Sequence, residues 1–289
     1  MTETRTLEAP GATITYDVRG PLPPADGRLP LVMIGQPMSA DGFTSLAANF
    51  PDRTVITYDP RGLGRSTRTD GRTDNTAEQQ AQDLHLLVTT LTTGQVDVFA
   101  SSGGAVTALE WVRAFPADIA TLVAHEPPLN RILPDAEAVD RARAAFNDAY
   151  ESGGMGAGMA AFLVMTSWQG EFTDEYFAQP TPDPAAFGMP SDDDGTRNDP
   201  LLSKVSWPIS DYTPDVAALK AAPTRIVIAV GEESAGTYTA RTAEAMAALL
   251  DQQPTVFPSH HGGFIGGEFG YAGKPEEFAT KLREVLATP

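Results

Sequence analysis

The chain lacks cysteine altogether, in a length of 289 residues. This absence excludes disulfide bonds, a thiol nucleophile and thiolate metal sites. No apolar run is long enough to cross a bilayer, and the start of the chain lacks the basic segment and apolar core of a secretory signal. We therefore expect a soluble, cytoplasmic protein with no membrane partner.

Positively charged residues are also scarce. Lys and Arg total 20 against 38 Asp and Glu, which gives a formal net charge of -18. Such a chain repels polyanions at long range, so we expect no nucleic-acid partner. The excess of carboxylates is typical of a solvated acidic surface, and it gives no information on the oligomeric state.

Short apolar runs alternate with amphipathic helical patterns along most of the chain. The runs typical of strands are 6–8, 13–18, 29–34, 54–58, 96–100, 119–124, 224–230 and 255–257. This alternation predicts an α/β fold, with a mostly parallel central sheet and helices on both faces. It stops after residue 130, so we predict a core of residues 1–130 and 215–289 and a helical insertion at 131–214. Four glycines between residues 153 and 158 predict a flexible joint within the insertion.

The stretch after the apolar run 96–100 has the pattern of a nucleophile elbow. The run breaks at Ser101-Ser102-Gly103-Gly104 and continues as a helical pattern. A strand that turns sharply into a helix around a serine forces strained dihedral angles on it, so its neighbours must be small. Ser102 is therefore the candidate nucleophile. The alternative is a glycine-rich turn before an ordinary helix.

A serine hydroxyl needs a base that removes its proton as it attacks. The chain has four histidines. His85 falls inside a predicted helix, so we expect it to be structural. His125 falls in a predicted strand that ends at Glu126, so we expect it either to pack or to support a site residue. His260 and His261 follow the last predicted strand, where the chain order Ser–acid–His places the base.

Four stretches together resemble the α/β-hydrolase family, in its serine-nucleophile, capped form. They are Ile34-Gly35-Gln36-Pro37, 58–66, Ala100-Ser101-Ser102-Gly103-Gly104 and His261-Gly262-Gly263-Phe264. The resemblance covers nearly the whole chain and implies the α/β-hydrolase fold, with a helical cap inserted after the sixth strand. It also implies that His261 is the base, and it implies no metal or organic cofactor. Residues 59–66 match the family without chemistry of their own, so we expect a structural turn there.

The acid of the expected catalytic triad is missing from its common place. The family often has an aspartate after the seventh strand, in a Gly-x-x-Asp pattern, whereas this chain has Gly231-Glu232-Glu233-Ser234. A serine cannot carry the charge that stabilises an imidazolium. Some members instead have a glutamate at the end of the sixth strand, and Glu126 lies in that place. We favour Glu126 as the acid, with Glu233 or Glu232 as the alternative.

An oxyanion hole needs two N–H donors aimed at the developing charge. Gly103 follows the nucleophile and supplies one of them. Because Pro37 has no N–H, Gln36 supplies the other, and its side-chain amide is also a candidate to face the pocket.

Apolar side chains in the insertion, and one in the loop that contains Gln36, are candidates for the wall of a substrate pocket. They are Met38, Met155, Met159, Phe162, Met165 and Trp168. Methionines adapt to irregular ligands. Apolar side chains that recur at helical spacing are equally typical of a helix face that packs against the rest of the protein.

Together these features predict a serine esterase, with a small molecule as its partner. We expect it to cleave a small to medium, uncharged, fairly apolar ester or lactone through an acyl-enzyme. A serine nucleophile disfavours the dehalogenase and epoxide-hydrolase reactions of the family, which use an aspartate. The alternatives are cleavage of a carbon–carbon or amide bond on the same scaffold, or ligand binding with little turnover.

Overall fold

The computed structural model describes residues 2–24, 27–92, 94–270 and 272–288. This part of the chain forms one sheet of nine strands flanked by helices. The strands are β1 (Thr2–Ala9), β2 (Ala12–Arg19), β3 (Leu31–Ile34), β4 (Val55–Tyr58), β5 (Thr67–Arg68), β6 (Val96–Ser101), β7 (Ile119–His125), β8 (Arg225–Gly231) and β9 (Thr255–Phe257).

Helices connect most of the strands. The α-helices are α1 (Thr44–Ala48), α2 (Ala77–Leu91), α3 (Gly103–Ala114), α4 (Ala136–Ser167), α5 (Asp174–Phe177), α6 (Trp207–Ser210), α7 (Val216–Ala221), α8 (Tyr238–Leu249) and α9 (Pro275–Ala287). Short 3-10 helices cover Ala40–Phe43, Asn130–Ile132, Pro184–Phe187, Lys204–Ser206 and Glu268–Gly270.

The sheet is mixed but mostly parallel. Its order is β1-β2-β4-β3-β6-β7-β8-β9, and β5 pairs with β2. The pairs that involve β2 are antiparallel, whereas every pair from β4 to β9 is parallel. The predicted α/β architecture is therefore confirmed. The carboxyl ends of β3, β6, β7, β8 and β9 meet at one edge of this sheet.

Two apolar clusters cover the two faces of the sheet. Val32 and Ile34 of β3 belong to one cluster, together with residues of α2, α3 and α8. Leu31 and Met33 belong to the other, together with residues of α1 and α9. Successive side chains of a strand point to opposite faces. Both faces of β3 are therefore buried, which explains its continuous apolar sequence.

The sequence prediction missed β5. This strand has only two residues, and it pairs antiparallel with the start of β2, with Thr67 opposite Thr13. Two residues are too few for an alternating apolar pattern to be recognised. The strand before the insertion, which the sequence counts as the sixth, is therefore the seventh in the chain.

The chain between β7 and β8 forms α4 to α7, where the sequence predicts an inserted cap. The prediction of a flexible joint at the four glycines between residues 153 and 158 is wrong. These glycines lie within α4, which has a kink at Gly154 with φ 76° and ψ -167°. A Cβ at Gly156 would lie 1.8 Å from the Pro190 carbonyl oxygen, and one at Gly158 would lie 2.6 Å from Tyr150 Cβ. Close packing therefore requires glycine here. The division into core and cap domains stays a prediction.

The turn after β4 is held by buried polar contacts. Asp59 accepts hydrogen bonds from the N–H groups of Ala40 and Arg65 at 2.9 and 2.7 Å. The side chain of Arg61 is 3% exposed and donates to Asp83 on α2 at 2.5 and 2.8 Å. These contacts agree with the structural role expected for this turn, which lies beside the loop after β3.

Replacing Arg61 with Met will lower the free energy of unfolding by about 3 kcal/mol, because a buried carboxylate left without its partner is strongly destabilising. Urea unfolding at neutral pH measures the change. Arg72→Met is the matched control, since the Arg72–Asp74 pair is exposed, and it is expected to leave the unfolding midpoint unchanged. Similar effects of the two substitutions would contradict a structural role for the buried pair.

Candidate active site

Five of the predicted site residues lie just beyond the carboxyl ends of parallel strands. They are Gln36 after β3, Ser102 after β6, Glu126 after β7, Glu233 after β8 and His261 after β9. Sites in open α/β sheets form at this edge. The fold therefore collects these residues at one end of the sheet, and their side-chain contacts distinguish them.

Ser102 occupies the turn between β6 and α3 in a strained backbone conformation. Its φ of 56° and ψ of -131° are unusual for a residue with a side chain. The Ser102 N–H donates to the His125 carbonyl at 2.9 Å, and its own carbonyl accepts from the Ala105 N–H at 2.9 Å. The hydroxyl is thus held on a tight strand-to-helix turn, which is the geometry of a nucleophile elbow.

The two glycines after Ser102 let the loop after β3 approach the turn closely. A Cβ at Gly103 would lie 2.7 Å from the Gln36 carbonyl oxygen, and one at Gly104 would lie 2.6 Å from the Ile34 carbonyl oxygen. The first N–H groups of a helix have no partner within the helix. The Gly103 N–H is such a group, and Gln36 packs directly against Gly103.

His261 and Glu126 form the central contact of the site. His261 Nδ1 lies 2.6 Å from Glu126 Oε2, and the Glu126 side chain is fully buried while that of His261 is 38% exposed. Glu126 Oε1 accepts the Gly231 N–H at 2.9 Å, and Oε2 also accepts the Thr239 hydroxyl at 2.7 Å. One carboxylate therefore joins the ends of β7 and β8, the start of α8 and the loop after β9.

Glu126 is ionised despite its burial. Burial raises the pKa of a carboxyl group, but the hydrogen bond and charge of His261, the charge of His125 and a hydrogen bond from Ser234 outweigh it and hold the Glu126 pKa well below its usual range. An ionised carboxylate can only accept hydrogen bonds. His261 Nδ1 therefore carries the proton, and in the neutral ring Nε2 is free to accept one.

The described hydrogen bonds of Ser102 and His261 do not include one between these two side chains. Contacts between a nucleophile and its base are often long without substrate and tighten when it binds. The structure thus brings His261 together with Glu126, while the role of Ser102 as nucleophile stays a prediction.

The alternative acids lie in a different environment. Glu233 accepts from Lys274 Nζ at 2.9 Å, and Glu232 lies 3.4 Å from the same nitrogen. Both side chains are about half exposed, and the hydrogen bond from Lys274 lowers the pKa of Glu233. The structure therefore pairs Glu233 with a lysine rather than with His261.

The other histidines have structural partners. His85 Nδ1 lies 2.8 Å from Asp118, and the His260 Nε2 atom lies 3.2 Å from the Ala272 carbonyl oxygen. His125 is fully buried among phenylalanine rings, with Nδ1 3.3 Å from Ser101 Oγ and Nε2 4.0 Å from Glu126 Oε1. Burial lowers its pKa to about 4, although the Glu126 charge opposes this shift.

The predicted pocket residues make packing contacts. Met38 lies against the glycines of its own loop, since a Cβ at Gly42 would meet its sulfur at 2.1 Å. Met165 is 3% exposed in an apolar cluster of the insertion, and further candidates pack at the edge of that cluster: Met155, Met159, Phe162 and Trp168. These contacts explain the helical spacing of these side chains as packing, and a role in lining a pocket stays a prediction.

Sequence reasoning missed the groups that hold Glu126. Thr239 and the Gly231 N–H follow no motif that a sequence alone displays. Ser234 could have been found, because it stands where the family resemblance places an aspartate, and it contributes to the lowered pKa of Glu126.

Two negative observations apply to the described residues alone. No helix there combines the length and apolar character needed to cross a membrane. Within the same ranges, no three His, Asp or Glu side chains are grouped so that they could hold a metal ion.

The chain was compared with known proteins. A profile of the family described as alpha/beta hydrolase fold matches residues 31–150. A Bacillus subtilis (strain 168) protein named "Uncharacterized hydrolase YraK" is 27% identical over 293 residues, which cover 97% of this chain and 95% of that protein. Two solved structures with 98% coverage of both chains are similar: an esterase from Thermogutta terrifontis (TM-score 0.65, 20% identity) and a structure from work on Nitrososphaera gargenis carboxylesterases (0.66, 16%). The structural similarities show the fold.

Lowering the pH from 7 to 5 will destabilise the protein through His125. The unfolded chain binds a proton at this histidine with a pKa near 6.5, whereas the folded chain does so only near pH 4. The neutral, buried His125 therefore stabilises the fold fully at pH values above both pKa values. This contribution to the free energy of unfolding is lost as the pH falls between them, by about 2 kcal/mol at pH 5.

The contribution of the ionised Glu126 is lost at lower pH, only below its pKa of 4.5 in the unfolded chain.

Urea unfolding of the wild type and of His125→Phe at pH 7 and pH 5 tests this prediction. The phenylalanine side chain suits the aromatic surroundings and cannot titrate, so the variant is expected to lose less stability between the two pH values. An equal loss in both proteins would contradict the assignment to His125.

Proposed function

Because this chain belongs to the α/β-hydrolase fold superfamily, we propose that it is a serine hydrolase, and that it cleaves an uncharged, fairly apolar carboxylic ester or lactone. The observation that carries the proposal is the hydrogen bond between His261 and the buried, ionised Glu126. It leaves Nε2 as a base at the same sheet edge as the strained turn of Ser102.

The first half of the reaction forms an acyl-enzyme. Ser102 Oγ bonds to the carbonyl carbon, its proton passes to His261 Nε2, and the carbonyl π electrons move onto the oxygen. The backbone N–H groups of Gln36 and Gly103 stabilise that oxyanion. When the tetrahedral intermediate collapses, the alkoxide leaves and takes the proton from His261.

The second half returns the enzyme to its starting state. His261 accepts a proton from water as the water oxygen attacks the acyl carbon, and the resulting intermediate expels Ser102 Oγ, which regains the proton. The products are a carboxylic acid and free enzyme. During both halves the buried Glu126 charge stabilises the imidazolium and keeps the proton on Nδ1.

Charge and the type of nucleophile support the substrate class. A net charge of -18 repels anionic substrates at long range. A serine nucleophile forms an ester with an acyl group, which water can hydrolyse. The structurally similar protein from Thermogutta terrifontis, named as an esterase, agrees with this class.

A fluorophosphonate probe will label the wild type at Ser102, because the probe phosphorus takes the place of the carbonyl carbon. Intact-mass measurement is expected to show one adduct on the wild type and none on Ser102→Ala. Ser101→Ala is the matched control: this neighbouring serine is 2% exposed, and its loss is expected to leave labelling intact. If the wild type is not labelled, the proposal is wrong and ligand binding without turnover is favoured.

Glu126→Gln will lower kcat for a 4-nitrophenyl ester by about a thousandfold, since a neutral amide cannot stabilise the imidazolium and favours the wrong tautomer. Glu233→Gln is the control and is expected to stay within about twofold of the wild type, because it breaks only an exposed pair with Lys274. Circular dichroism of both variants checks that they fold. The opposite pattern, with activity lost only in Glu233→Gln, would falsify the assignment of Glu126.

A further inference from the structure

The Gln36 side chain lies between the nucleophile turn and the insertion. Gln36 is 2% exposed. A Cβ at Gly103 would lie 3.0 Å from Gln36 Cβ and 3.1 Å from its Cγ, so the side chain runs along the residue that follows Ser102. On its other side, Gln36 Nε2 lies 3.4 Å from Ser206 Oγ. The side chain of Gln36 therefore runs from the residue that follows Ser102 to Ser206 of the insertion.

Hydrogen bonds around Ser206 determine which end of this amide is free. A serine hydroxyl has one proton, and Ser206 Oγ donates its proton to the Pro200 carbonyl at 2.7 Å. Ser206 can then only accept from Gln36, so the group that faces it is the NH2 and not the oxygen. The other end of the amide is the carbonyl oxygen, Oε1, which is a pure acceptor.

Gln36 Oε1 is buried and has no hydrogen-bond donor among the described residues. A buried acceptor without a donor costs free energy, and most such groups in proteins are satisfied. A ligand that supplies an N–H or O–H group would remove this cost. Because the backbone N–H of the same residue is the expected oxyanion donor, a short side chain links the two binding points. The ligand donor must therefore lie close to the scissile carbonyl.

We propose that Gln36 Oε1 selects substrates that carry a hydrogen-bond donor, either a hydroxyl or an amide N–H, within three bonds of the scissile carbonyl. The inference rests on the proposed function and narrows it, from uncharged esters in general to esters of hydroxy acids or acylamino acids. Gln36 thus acts twice, with its backbone on the oxyanion and its side chain on the acyl group.

Matched ester pairs test the proposal on the wild-type enzyme. Each pair keeps the carbonyl and the polar atom but removes the proton that Oε1 would accept: methyl 2-hydroxybutyrate and 2-methoxybutyrate, methyl 3-hydroxybutyrate and 3-methoxybutyrate, and methyl N-acetylalaninate and its N-methyl derivative. Acid release in a pH-stat gives kcat/KM. We expect at least one donor-bearing ester to exceed its partner by about tenfold or more.

Substitution of the amide then assigns that preference to Gln36. Gln36→Met keeps the backbone N–H and the side-chain length but has no acceptor oxygen, so the ratio of kcat/KM within the preferred pair is expected to fall to about one. Gln36→Leu is a second apolar variant in case the first does not fold. Because each ratio is measured within one protein, a general loss of activity does not affect it.

The outcomes separate this inference from the proposed function. If the esters are hydrolysed but no pair differs in the wild type, the role of Oε1 is wrong and the hydrolase remains. A preference that persists in both Gln36 variants also overturns that role. If the wild type neither hydrolyses any ester nor reacts with the fluorophosphonate, the proposed function fails and this inference fails with it.

Discussion

A carboxylate without solvent exposure, that of Glu126, accepts a hydrogen bond from the partly exposed ring of His261 at 2.6 Å. A buried charge is costly unless donors surround it. Here the donors come from the end of β8, the start of α8 and the loop after β9, through Gly231, Thr239 and His261. The geometry of this edge of the sheet therefore depends on the Glu126 carboxylate, because each of these segments must stay in place to keep its hydrogen bond to that charge.

The position of this acid also explains the serine at 234. The family resemblance places an aspartate there, and two carboxylates beside one imidazole would repel each other and raise one pKa. Ser234 instead carries no charge and contributes to the lowered pKa that keeps Glu126 ionised. An uncharged Ser234 is therefore electrostatically compatible with the ionised Glu126.

Backbone strain is concentrated at the same edge. Ser102 and Glu126 have φ values of 56° and 48°, in the region that glycine usually occupies. Each follows a buried strand and still donates one hydrogen bond to the neighbouring strand, to the carbonyls of His125 and Ala229 at 2.9 and 3.0 Å. The sheet therefore holds both residues at the points where the chain turns sharply, and their side chains leave the sheet toward the site.

Local patterns in the sequence determined most of the fold. Buried strands need continuous apolar runs and a tight turn around a serine needs small neighbours, so the main parallel strands and the Ser102 turn could be predicted. The choice of His261 and Glu126 rested instead on the resemblance to the α/β-hydrolase family. Only the tertiary structure decided which carboxylate meets His261, why α4 kinks where a joint was expected, and how Gln36 Oε1 is buried without a donor. The absence of that donor holds among the described residues. These features depend on contacts between segments far apart in the chain, and no local pattern specifies such contacts.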